Sequence, residues 1–152
     1  IDMNKFIGVW KFNSVATFDD DGNLIRMNAE EYIDSPLNEE NPEEIKHELE
    51  ERKRYTQTVF EVRADNKIVS KMPIPEGISK EEIDEAVASG EIALEGDMLV
   101  LEEKEYELRG DDLYMNSGIH GETLGEPVDP WVKLNTDDGF LELFTTRFER
   151  VK

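Results

Sequence analysis

Turn signals recur at short intervals along this chain, and their spacing constrains the fold more than any other feature. Asp19-Asp20-Asp21-Gly22-Asn23, Ala64-Asp65-Asn66-Lys67, Glu95-Gly96-Asp97, Arg109-Gly110-Asp111-Asp112 and Thr136-Asp137-Asp138-Gly139 each separate segments rich in Val, Ile, Leu, Phe or Tyr. Glycine adopts positive φ without steric cost, and Asn and Asp tolerate it, so each cluster reads as the turn of an antiparallel hairpin. The strands predicted between them span residues 6–18, 24–27, 54–64, 67–73, 91–95, 98–109, 112–117, 130–135 and 139–151.

In the first of these the even positions read Phe6, Gly8, Trp10, Phe12, Ser14, Ala16 and Phe18, whereas the odd ones include Lys5, Lys11, Asn13 and Thr17. A period of two predicts one long strand whose aromatic face stays inward along its whole length. So many strands in 152 residues would leave costly edges in an open sheet. The expected fold class is therefore mainly β, an antiparallel up-and-down β-barrel of about 8–10 strands in a single domain over residues 1–152, with a two-sheet sandwich as the alternative.

Two segments break the β rhythm and predict short helices. Pro42 to Arg52 opens with proline and carries only Ile45 and Leu49 as an apolar stripe, which suits a peripheral flap over the barrel. Ser79 to Gly90 has Ser79 and Glu82 at capping-box spacing, Ile83 and Val87 on one face, and a glycine stop.

Charge narrows the function classes. The 37 acidic residues against 17 basic ones leave a net charge of -20, which repels the nucleic-acid backbone and anionic membrane surfaces. No apolar run approaches the roughly eighteen residues of a membrane-spanning helix, so neither nucleic-acid binding nor membrane insertion is expected. The acidity reads either as a solvated surface or as an interface for a basic protein partner, with Glu43, Glu44, Glu48 and Glu51 of the first helix as its candidate contacts. The chain has no cysteine, which removes disulfides and thiolate chemistry and is compatible with a reducing cytoplasm, the expected location. Ile1-Asp2-Met3 leaves two origins open: Met3 as the natural start, or an upstream signal peptide removed in processing.

No catalytic or metal-binding constellation emerges. His47 and His120 are the only histidines, and Ser117 near His120 lacks a Gly-x-Ser-x-Gly elbow. A calcium loop around Gly22 would begin at Thr17 and end at Asn28, where acids are required. No enzyme activity and no cofactor are expected.

The two ends of the chain carry a resemblance. Phe6-Ile7-Gly8-Val9-Trp10-Lys11, with its Gly-x-Trp, resembles the opening strand of the calycins, the lipocalins and intracellular fatty-acid-binding proteins. Phe144-Thr145-Thr146-Arg147-Phe148-Glu149-Arg150-Val151 is similar to the last strand of the fatty-acid-binding proteins, and first and last strands are neighbours in such barrels. The resemblance implies that Gly8 lets the first strand bend, that Trp10 plugs the narrow end, and that an arginine of the last strand, assigned to Arg147, covers the indole. It further implies a noncatalytic protein holding a small hydrophobic or amphipathic ligand inside the barrel, with Phe12, Tyr106, Tyr114, Met115 and Phe144, beside Trp10, as candidate lining.

This chain departs from that pattern in two places. The fatty-acid-binding proteins set a helical pair between their first and second strands, whereas here a tight turn follows the first strand and the helices come later. Members that grip a fatty carboxylate use an arginine and a tyrosine two apart on the last strand, but Phe148 follows Arg147 directly, so carboxylate binding is not implied. A filled barrel serving as an acidic interaction or inhibitor module is the alternative reading.

Overall fold

The described residues form a curled ten-stranded antiparallel sheet, a separate two-stranded ribbon and three helices. The computed structural model describes residues 5–37, 39–119, 121–123 and 125–151. In chain order the elements are β1 (Gly8–Phe18), β2 (Leu24–Met27), α1 (Ala29–Asp34), α2 (Pro42–Tyr55), β3 (Val59–Val62), β4 (Lys67–Pro73), α3 (Lys80–Ser89), β5 (Ala93–Glu95), β6 (Met98–Arg109), β7 (Asp112–Asn116), β8 (Glu122–Thr123), β9 (Glu126–Pro127), β10 (Trp131–Lys133), β11 (Leu141–Leu143) and β12 (Thr146–Arg150).

The main path through the sheet runs β10-β7-β6-β4-β3-β1-β12-β11, with β2 added to β1 and β5 to β6, while β8 and β9 pair with each other. Its two ends meet. Beyond β10, Leu134 N–H donates to the Leu113 carbonyl at 2.8 Å on one side, and on the other the Leu134 carbonyl accepts from Glu142 N–H at 2.6 Å, with Asn135 bridging Leu141. Every step around this ring is antiparallel between strands consecutive along the path, and the meeting of its ends is how an antiparallel barrel disposes of its edges.

Inward side chains of the ring pack a core that includes Phe6, Trp10, Phe60, Tyr106, Leu113 and Phe148, with the Phe60 and Phe148 rings stacked at 4.2 Å. The inward phase of β1 holds from Trp10 to Phe12, which face Arg150 and Phe148 of β12, but the register then shifts between Phe12 and Ser14. An extra residue in one strand exchanges its two faces from that point on. Val15 consequently pairs with the buried Thr146, and Phe18, expected on the inner face, is 70% exposed.

The segment expected as one strand over 139–151 is broken in two. Phe144 turns at φ 56° between β11 and β12, with Leu143 paired to Thr146, so its ring is 70% exposed in place of lining the interior. An L-residue in this region bears strain of about 1–2 kcal/mol, part of which glycine returns as unfolded-state entropy. Phe144→Gly is therefore expected to raise stability by about 0.5 kcal/mol, read as a higher urea midpoint; a loss of more than about 1 kcal/mol would show that the ring is held by packing.

The helices also differ from expectation. α3 keeps its predicted bounds, with Ser79 Oγ accepting from Glu82 N–H at 3.1 Å and Gly90 at φ 82° ending it. α2 runs on to Tyr55, three residues past the predicted end, because burial of Tyr55 against Phe12 outweighs its β-propensity. α1 was not foreseen, although Asn28 and Glu31 form a reciprocal capping box at its start. The barrel's second ring strand is β3, since β2 only extends the β1 hairpin, so α1 and α2 do lie between the first and second ring strands.

An ion cluster spans the sheet exterior beside β5. Lys71 Nζ lies 2.8 Å from Glu61 and 2.7 Å from Glu95, while Arg63 contacts both carboxylates. Hydrogen bonds from Arg63 and then Lys71 hold the Glu95 carboxyl down to about 2, from an ordinary value of 4.5, and Glu61 is lowered as well. A carboxyl depressed in the fold contributes stability above its unfolded value and loses that contribution as pH falls through the folded one. The stability difference between the wild-type chain and Glu95→Gln is thus expected to be constant above pH 4.5 and to shrink as the pH is lowered to 2, read as the melting-temperature difference across that range. A difference independent of pH would mean that Glu95 acts through packing alone.

Candidate functional site

A single arginine organises the region around the far end of β1. Arg52, the buried residue of α2, carries its guanidinium to the C-terminal end of α1. Nη1 donates to the carbonyls of Ser35 at 2.7 Å, Tyr32 at 3.2 Å and Ile33 at 3.3 Å, and to Ser35 Oγ at 2.8 Å. Nη2 donates to the Pro36 carbonyl at 3.1 Å and Nε to Glu48 Oε1 at 3.2 Å. The last carbonyls of a helix lack intrahelical donors and concentrate negative potential, so a cation there both satisfies them and offsets the dipole.

Three aromatic rings continue this layer inward. Tyr32 of α1 and Tyr55 of α2 lie 5.7 Å apart, Tyr55 meets Phe12 edge-on at 5.7 Å, and the Tyr55 hydroxyl hydrogen bonds Thr146 Oγ1 of β12. α1 and α2 are thereby fastened over this end of the barrel, and the expectation of a flap over the barrel describes where α2 sits.

Between the β1–β2 hairpin and these helices opens a groove of about 770 Å3. Val15, Ala16, Thr17, Ile25 and Met27 line its hairpin side, Tyr32, Pro36 and Arg52 its helical side, and Asp19, Asp20 and Glu48 add carboxylates. Its volume falls in the range of small-molecule sites, roughly 300 to 1,000 Å3, and its walls mix apolar with polar surface. Burial chiefly raises the Tyr32 phenol, which keeps it neutral.

The residues proposed from sequence as ligand lining do not converge on one cavity. Tyr106 and Met115 belong to the packed core, and Phe12 is buried beside Tyr55. Tyr114, between inward Leu113 and Met115, points the other way and lies under the Arg109 guanidinium at 4.3 Å, as strand alternation requires. Phe144 occupies the exposed turn. Sequence reasoning missed Arg52, Tyr32 and the β1–β2 hairpin face; the Asn28-to-Glu31 spacing was the available signal for the helix that carries Tyr32.

At the opposite end, the arginine that covers Trp10 is not the one expected. Arg150, not Arg147, lies over the Trp10 indole at 4.5 Å. Trp10 and Arg150 are cross-strand partners, whereas Arg147 adjoins inward-facing Phe148 and therefore points outward, where it meets Glu142 at 2.7 Å. Arg150 Nη1 donates to the Ile7 carbonyl at 2.9 Å and Nη2 donates to that of Lys5. Gly8 makes the approach feasible: its φ is 140°, and a Cβ there would stand 2.8 Å from Arg150 Nη1.

The acidic face of α2 is partly engaged within the chain. Glu48 pairs with Arg52 and Glu51 with Arg54, leaving Glu43 and Glu44 exposed in the first turn, where they complement the helix dipole. Of the Ser117 and His120 pair, His120 lies outside the described residues. No protein-family model, curated protein or solved structure matches the chain.

Proposed function

We propose that the chain is a noncatalytic binding protein of the calycin type, which takes a small hydrophobic or amphipathic ligand in the groove beneath α1 and α2. The observation that carries this reading is the groove of about 770 Å3 with its apolar strip of Val15, Ala16, Ile25 and Met27. Three features support the calycin comparison: the pairing of first and last strands, the Gly8-Trp10-Arg150 cluster, and the helical pair between the first two ring strands. The packed core around Trp10 and Tyr106 favours the helix-covered end over the barrel axis as the place for such a ligand. The reading of an acidic module for a basic partner has less behind it, because Glu48 and Glu51 already meet arginines of their own helix.

Thr17 and Ile25 are cross-strand partners on the hairpin and both are accessible, so a tryptophan at either position can fill the groove without disturbing the core. The wild-type chain is expected to bind the neutral probe 1-decanol saturably at a one-to-one ratio in calorimetric titration, and Thr17→Trp and Ile25→Trp are expected to abolish that binding. Failure of the wild-type chain to saturate with any neutral alkyl probe would overturn the reading.

A further inference from the structure

The groove has an apolar floor and a rim of one dominant charge. Among the described residues its lining holds three carboxylates, Asp19, Asp20 and Glu48, and a single cation, Arg52. That cation is committed: its three nitrogens are turned toward the carbonyls of residues 32, 33, 35 and 36, the Ser35 hydroxyl and Glu48, and its side chain is only 10% exposed. An incoming carboxylate or phosphate would meet a guanidinium whose donors already have acceptors, and it would have to displace structural hydrogen bonds to reach them.

Asp19 Oδ1 accepts from the backbone N–H groups of Asp21 and Asn23, at 3.0 and 2.9 Å, and so the turn fixes this carboxylate in position. Asp20 beside it is exposed, and Glu48 is half exposed despite its contact with Arg52. The net charge of -20 sets the sign of the wider field, which raises the local concentration of cations and lowers that of anions.

We infer that the groove selects a cationic amphiphile, an organic ammonium ion carrying an apolar body, against a fatty anion of the same length. The apolar body lies along Val15, Ala16, Ile25 and Met27, and the ammonium group stays at the rim near Asp19, Asp20 and Glu48, where it keeps much of its hydration. This inference rests on the groove being a ligand site, as proposed above.

The test compares three probes with one chain length, decyltrimethylammonium, 1-decanol and decanoate, titrated below micelle-forming concentrations into the wild-type chain and into Thr17→Trp. Decyltrimethylammonium is expected to bind on the order of tenfold more tightly than decanoate, a difference of about 1.4 kcal/mol, with decanol between them, because the carboxylates at the rim act on a head group that stays hydrated. Asp20→Asn is expected to narrow that span, and Thr17→Trp to remove saturable binding of all three.

Equal affinities for the three, or tightest binding of decanoate, would overturn the charge selection while leaving the groove as an apolar ligand site. A cation that binds Thr17→Trp as well as the wild-type chain would overturn it too, by assigning the attraction to the general acidic surface. Absence of binding by all three probes would remove the inference together with the reading beneath it.

Discussion

Replacing Arg52 with methionine is expected to cost about 3 kcal/mol of unfolding free energy, within the range for removing one partner of a buried charged network. Methionine keeps the apolar stem that Arg52 threads between α1 and α2 but brings no donor. The carbonyls of Tyr32, Ser35 and Pro36 then lose their charged partner at a helix end, and Glu48 loses its cation. With six residues α1 is too short to persist without such support.

The expected signature is local as well as global. Urea unfolding should show the lower midpoint, and amide exchange should rise first in α1, before the barrel strands. Arg52→Lys should recover less than half of the loss, because a single ammonium cannot span carbonyls on both sides of a planar fork. A change below about 1 kcal/mol for Arg52→Met would show that α1 is held by its packing against the sheet and not by the guanidinium.

Trp10→Ala carries the larger expected loss, about 4 kcal/mol, typical of truncating a fully packed aromatic. Trp10 is 4% exposed, its Nε1–H donates to the Phe6 carbonyl at 2.9 Å, and Arg150 lies across its face. Removing the indole therefore opens a cavity beside Phe60 and Phe148 and also releases the segment from Lys5 to Ile7 that Arg150 and Trp10 together hold.

For a chain of this length such a loss lowers the melting temperature by roughly 10 °C or more. Arg150→Ala alone should cost about 1 kcal/mol, whereas Arg147→Ala should fall within about 0.5 kcal/mol of the wild-type chain, its contacts being an exterior carboxylate and the Phe140 ring. Thermal melts of the three variants decide the assignment: a larger loss for Arg147→Ala than for Arg150→Ala would return the indole cover to Arg147.

The β-rich architecture was legible because hairpin turns announce themselves locally. Asp19–Asn23, Ala64–Lys67 and Arg109–Asp112 each carry residues that accept turn geometry, and the strands they separate lie within a few residues of the predicted bounds, except that the strand expected from residue 54 begins only at Val59, because α2 runs on to Tyr55. The Phe144 turn was not legible, since a phenylalanine and a threonine carry no such signal and only the pairing of Leu143 with Thr146 imposes it. The candidate groove was hidden for a related reason. Its walls come from β1, β2, α1 and α2, and its organising residue, Arg52, stands in a helix so charged that one more arginine attracts no notice.

By itself, the sequence determined local conformation: where the chain turns, which segments alternate, and where α3 begins and stops. The tertiary structure alone decided the register, and register depends on a bulge near Asn13 that no local rule announces. That one extra residue put Val15 and Thr17 on the groove face and turned the Phe18 ring to the opposite, exposed side. On the paired strand, the residues facing Trp10 placed Arg150 over the indole in preference to Arg147. Alternation along a strand is a property of neighbouring residues, whereas the partner across the sheet is chosen by the packing of the whole interior.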